Sequence, residues 1–98
     1  MTTTDKYEVI ASTIARIQAD INLIDVDFSK VLDNYIYEYC EDLKIDNVNY
    51  YTNSLGYIQK DNIDGSKQVV YSKEINEVLK PELLKRLNAK KQTLQSQI

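Results

Sequence analysis

Histidine and tryptophan are absent from this 98-residue sequence, and cysteine, methionine and proline occur once each. Without histidine there is no imidazole base and no histidine-ligated metal. A lone cysteine, Cys40, cannot close an intramolecular disulfide, and two glycines cannot build a glycine-rich phosphate loop. No stretch approaches the roughly 18 continuous apolar residues of a membrane span. The opening Met-Thr-Thr-Thr-Asp-Lys lacks the basic-then-apolar layout of a signal peptide. The expectation is therefore a chain made and kept in a cytoplasm, or in an assembly built there, with no membrane partner.

What remains is a composition for folding. Apolar residues make up 43% and charged residues 28%, a balance that buries a core instead of staying disordered. The length allows one domain over residues 1–98. Charge is unevenly spread: residues 1–66 hold 12 acids and five bases, residues 67–98 three acids and seven bases. An acidic front and a basic tail make the molecule dipolar.

Tyr7, Ile10, Ile14, Ile17, Ile21 and Ile24 recur at alternating steps of three and four, the seam of a heptad helix. Asp5 and Glu8 have the spacing of a capping box. The seam demands a partner, either inside the chain or on a neighbouring subunit. Asp27 reads as the N-cap of a second helix, whose stripe of Phe28, Val31, Leu32, Tyr35, Ile36, Tyr39 and Leu43 fades at residues 44–47. Residues 46–57 have no helical period and are rich in turn formers, which predicts a loop. Asp64-Gly65 predicts a hairpin over residues 57–71 with a two-residue turn, pairing Asp61 with Gln68 and Gln59 with Val70. Ser72 is placed to cap a third helix, Pro81 to kink or restart it, and Leu83, Leu84 and Leu87 to continue its apolar face. Residues 92–98 are polar and predicted to fray. The expected fold is mainly α: a small bundle of three or four helices with a short β-hairpin.

Constellations for chemistry are sparse. Cys40 has no activating base and sits between Glu38 and Glu41, so it reads as a packing residue. The acids from Asp25 onward fail a calcium-loop register, because Lys30 stands where the loop needs glycine and Ile36 where it needs glutamate. Glu41 and Asp42 belong to a solvated helix face. The expectation is a non-enzyme with no catalytic residues, no cofactor and no metal. Contact candidates are Tyr50, Tyr51 and Tyr57, large surfaces at low entropy cost. Lys85, Arg86, Lys90 and Lys91 form a basic run, followed by the apolar Leu94 and Ile98.

The order of two helices, a ribbon reading Ile-Asp-Gly-Ser-Lys-Gln-Val-Val-Tyr-Ser and a Leu-rich basic helix is similar to the small head-to-tail connector (neck) proteins of long-tailed bacteriophages. Gly65–Ser72 carries the likeness, with Asp25–Leu43 as a looser match. That family has a further helix before the ribbon, and residues 46–57 are too short to supply it. The resemblance implies a virion neck component assembled in the host cytoplasm. It would form a homo-oligomeric ring between the portal and a downstream neck or tail protein. An acidic channel wall would let DNA pass without sticking. Two other classes fit the same residues: a small acidic inhibitor or regulator of a host protein, and a plain homodimer joined through the first-helix isoleucines.

Overall fold

The computed structural model describes residues 3–98. Two helices, α1 (Thr3–Leu23) and α2 (Phe28–Tyr37), precede four short strands, β1 (Leu43–Ile45), β2 (Val48–Thr52), β3 (Ile58–Asp61) and β4 (Lys67–Val69). A single α-turn, α3 (Ser72–Glu74), a π-helical turn (Ile75–Leu79) and α4 (Lys80–Gln95) then follow without a break. The architecture is mixed α/β, a helical layer on a four-stranded antiparallel sheet of order β1-β2-β3-β4. The helices are as expected in kind, but a four-stranded sheet stands where a single short hairpin was expected, so the fold is not a mainly α bundle.

The isoleucine seam of α1 is spent inside the chain. Ile10, Ile17 and Ile24 are buried, and α1 lies against α4 and, less extensively, α2. Tyr7 at the head of the seam is exposed, and Asp5 lies in the first turn of α1 instead of capping it. Ile14 and Ile21 are half-buried, so a homodimer using the whole seam would have to unpack Ile10, Ile17 and Ile24. Burying each isoleucine fully contributes about 1.5–3 kcal/mol, and an aspartate at Ile17 would reverse the sign.

Asp27 caps α2 as expected, its Oδ1 accepting from the Lys30 N–H at 3.3 Å. The helix ends earlier than its stripe suggested. Cys40 is exposed, not the packing residue expected; it adopts a left-handed φ of 55°, and the Glu41 N–H donates back to the Tyr35 carbonyl at 3.2 Å. Leu43 therefore begins a strand, and it is fully buried there. Asp46 and Asn47 both have positive φ, 51° and 66°, and join Ile45 to Val48 in a two-residue hairpin. This is the turn geometry that matches strand twist, and Asx residues tolerate it. The predicted loop over 46–57 is thus a turn, strand β2 and a second hairpin loop.

The β3–β4 register differs by one residue from the two-residue expectation: Gln59 faces Val69, Lys60 faces Gln68 and Asp61 faces Lys67. The turn is a three-residue loop, Ile63-Asp64-Gly65, closed by Asn62 N–H to Ser66 O at 2.8 Å and Gly65 N–H to Asn62 O at 2.9 Å. The β2–β3 loop repeats it, with Asn53 N–H to Tyr57 O at 2.8 Å and Gly56 N–H to Asn53 O at 3.0 Å. Gly56 and Gly65 take φ of 86° and 89°, the left-handed position that such loops require. Asn-x-x-Gly is therefore used twice.

Leu43, Tyr50, Ile58 and Val70 point from the sheet into the core, where Phe28, Val31, Leu32, Leu79, Leu83 and Leu87 meet them. Pro81 falls in the first turn of α4, directly after the π turn. Proline cannot donate to the carbonyl four residues back and its ring crowds that group. The restart expected at Pro81 appears as a change from π to α pitch. The tail departs from expectation, since α4 stays helical to Gln95, Leu94 packs on the core and Lys91 Nζ donates to Gln18 Oε1 at 2.8 Å.

Candidate interaction surface

A four-stranded sheet has two edges with unpaired backbone groups. Here they are treated differently. At β1, Arg86 reaches over from α4: Nη2 donates to the Lys44 carbonyl at 2.6 Å and Nη1 to the Asp42 carbonyl at 3.3 Å. Glu82 accepts from Arg86 Nε at 3.0 Å and fixes the fork. Burial works against the Arg86 charge, but Glu82 and Tyr35 outweigh it and raise its pKa.

At β4 the bonds Asn62 N–H to Ser66 O and Val70 N–H to Ile58 O show which residues face β3. By the antiparallel alternation these are Ser66, Gln68 and Val70, so Lys67 and Val69 turn their N–H and C=O groups outward. Among the described residues no hydrogen bond closes this edge.

A groove of about 760 Å³ lies between β4 and the helical segment after it. Gln68, Val69 and Tyr71 line one side, Lys73, Glu77 and Val78 the other, and Lys60 and Glu74 complete it. Glu74 is already engaged, its two oxygens accepting from Lys60 Nζ at 3.0 and 3.1 Å and Oε2 also from the Tyr50 hydroxyl at 2.8 Å. Burial, reinforced by the Glu74 carboxylate, pushes the Tyr50 phenol up to about 12. A second hollow of about 400 Å³ shares Val69 and Tyr71 and adds Tyr57 and Ile75. Tyr71 is 76% exposed, Tyr57 59%, Val69 41% and Val78 40%. The place offers apolar contact and backbone pairing, rimmed by charge.

The sequence-derived contact residues do not converge on one patch. Tyr50 is buried, a core residue with its hydroxyl tied to Glu74. Tyr51 lies on the outer face of the sheet, donating to Asp61 at 2.8 Å and accepting from Gln59 Nε2 at 2.7 Å. Lys67 joins them through Asp61 at 2.9 Å, and Lys67 and Tyr51 together hold the Asp61 carboxyl below its usual range. Tyr57 is exposed beside Tyr71. In the basic run only Lys85 points clear of the chain. Arg86 caps β1, Lys90 donates to Glu41 at 3.3 Å and lies over the Tyr39 ring, and Lys91 is on Gln18. Leu94 is half-buried and Ile98 exposed.

Sequence reasoning missed Tyr71, Val69 and the open edge as one place, because a one-residue register error moves each strand residue to the wrong neighbour. It also missed Asp20, a buried acid that accepts from Asn34 Nδ2 at 2.8 Å and the Tyr39 hydroxyl at 2.6 Å. Burial and Asp20 together raise the Tyr39 pKa. Comparison with protein-family models, curated proteins and solved structures returns no match. Among the described residues no group of three or more Cys, Asp or Glu is placed to hold a metal ion, and no helix is long and apolar enough to cross a membrane.

Proposed function

We propose that the chain is a non-enzymatic structural protein of a bacteriophage neck, forming a ring between portal and tail that extends the DNA channel. The observation that carries this reading is the course of Gly65–Ser72. The segment leaves a hairpin loop, runs through β4 and passes directly into helical structure that continues to Gln95. That is the order of elements which the resemblance to neck proteins implies. The exposed loop Ile63–Ser66 and an elongated body of 48 × 26 × 23 Å also suit a subunit that reaches along a ring axis. Support comes from the C-terminal half, because the β1–β2 hairpin stands where neck proteins have a further helix.

Purified virions of the source phage provide the test. Immunogold labelling against this chain should mark the head–tail joint, and the chain should co-sediment with portal rings. A chain that is absent from virions and captured by one host protein would replace this reading with the inhibitor.

A further inference from the structure

We infer that β4 pairs edge to edge with β4 of a second copy of this chain, antiparallel about a two-fold axis at Val69. The inference uses the sheet alone and does not depend on the neck reading. Among the described residues β4 is the one open edge: Arg86 holds the outward β1 carbonyls of Asp42 and Lys44, which opposes an endless β1-to-β4 sheet. Edge pairing between copies is then isologous and closes at two.

Natural sheets guard an open edge with a free lysine. Here the Lys67 side chain stays exposed, but its ammonium is turned along the sheet onto Asp61 at 2.9 Å and over the Tyr51 ring, away from the edge. Charge and shape then choose the register. Pairing centred on Lys67 sets two lysines against each other, and pairing centred on Val70 sets Lys67 against Lys73 of the partner copy. Pairing centred on Gln68 leaves the Tyr71 ring opposite Gly65, which has no side chain to meet it, whereas centring on Val69 avoids all three faults. It lays the Lys67 stem beneath the exposed Tyr71 ring of the other copy, a cross-strand neighbour of compatible chemistry. The loop bearing Asp64 and Gly65 comes beside the turn bearing Lys73 and Glu74; Glu74 is already paired with Lys60, so Lys73 is the charge left for Asp64 at each end of the ribbon. Lys67, Val69 and the Tyr71 N–H supply about four new backbone hydrogen bonds, and the apolar rim of the groove is covered.

The experiment is sedimentation equilibrium of the full chain and its variants across a concentration series, with circular dichroism and melting as controls. So short an edge should dimerise with a dissociation constant on the order of 0.1 mM. Val69→Pro removes an outward N–H without touching the β3 ladder and should weaken dimerisation at least about tenfold at unchanged helical content. If Val69→Pro unfolds, Tyr71→Ala reads the same contact and should weaken the dimer severalfold. Lys73→Glu should weaken it too, and Asp64→Lys combined with Lys73→Glu should restore it. A wild-type chain that is monomeric at about 1 mM overturns the inference, as does a dimer indifferent to the folded β4 variants or lacking the charge-swap rescue. A many-membered ring untouched by Val69→Pro would overturn it while leaving the neck reading intact.

Discussion

Arg86 and Lys44 are joined at 2.6 Å, guanidinium to backbone carbonyl, and that contact fastens the last helix to the first strand. Residues 42 apart in sequence are thereby held by one side chain. A planar fork can serve Asp42, Lys44 and Glu82 together, whereas an ammonium serves as a point charge. Arg86→Lys should cost about 1–2 kcal/mol, and Arg86→Met somewhat more. Hydrogen exchange read by mass spectrometry should show faster labelling over residues 42–46 in both variants, with β4 unaffected.

Deleting residues 88–98 should lower stability by about 2–4 kcal/mol, since Leu94 packs on the core and Lys91 and Lys90 bond to Gln18 and Glu41. In a chain of this size that is a fall in melting temperature of roughly 10 °C or more. An unchanged melting curve would show that the end of α4 contributes nothing to the fold.

Cys40 spends its left-handed φ of 55° on a reversal that glycine would make without steric cost. Cys40→Gly should raise stability by about 0.5 kcal/mol, or roughly 3 °C. Cys40→Ser keeps the strain and should change stability by less than about 1 kcal/mol. Thermal melts of the three proteins under reducing conditions decide the matter; a destabilised glycine variant would mean that the thiol makes a contact worth more than the strain.

Alkali should loosen the fold through Tyr50. Its folded pKa of about 12 lies above the ordinary 10.0, so below pH 10 the phenol is protonated in both states and its contribution is whole. Between pH 10 and 12 the unfolded chain releases this proton and the folded chain keeps it, so stability falls as pH rises. Burial raises Tyr35 and Tyr39 in the same sense. Urea unfolding at stepped pH should show the decline beginning near pH 10, and Tyr50→Phe should make it shallower.

The parts legible in the sequence are those set by short-range chemistry. The step of Ile10, Ile17 and Ile24 gives the buried face of α1, Asp27 gives the start of α2, and Gly65 gives a reversal. The end of α2 was hidden because Tyr39 and Leu43 happen to continue a helical step while the backbone turns at Cys40. Asp46-Asn47 between Ile45 and Val48 does carry a hairpin signal, weaker than Asp-Gly because neither residue is glycine. The three-residue loops were readable from the repeated Asn-x-x-Gly at 53–56 and 62–65, a pattern outweighed by the Asp-Gly pair itself. The interaction surface depends on register and on which edge Arg86 covers. Both are long-range facts that no local spacing encodes.

The packing of α1 on α4 also sets an order of events in time. During synthesis α1 leaves the ribosome first, with Ile17 and Ile24 still waiting for Leu83 and Leu87. At ordinary elongation rates that wait is on the order of ten seconds. The strands, each joined to its neighbour by a tight turn, close in microseconds once they emerge. A nascent chain thus shows a finished sheet beside an unsheltered isoleucine face, and it is then that a chaperone would find its handle.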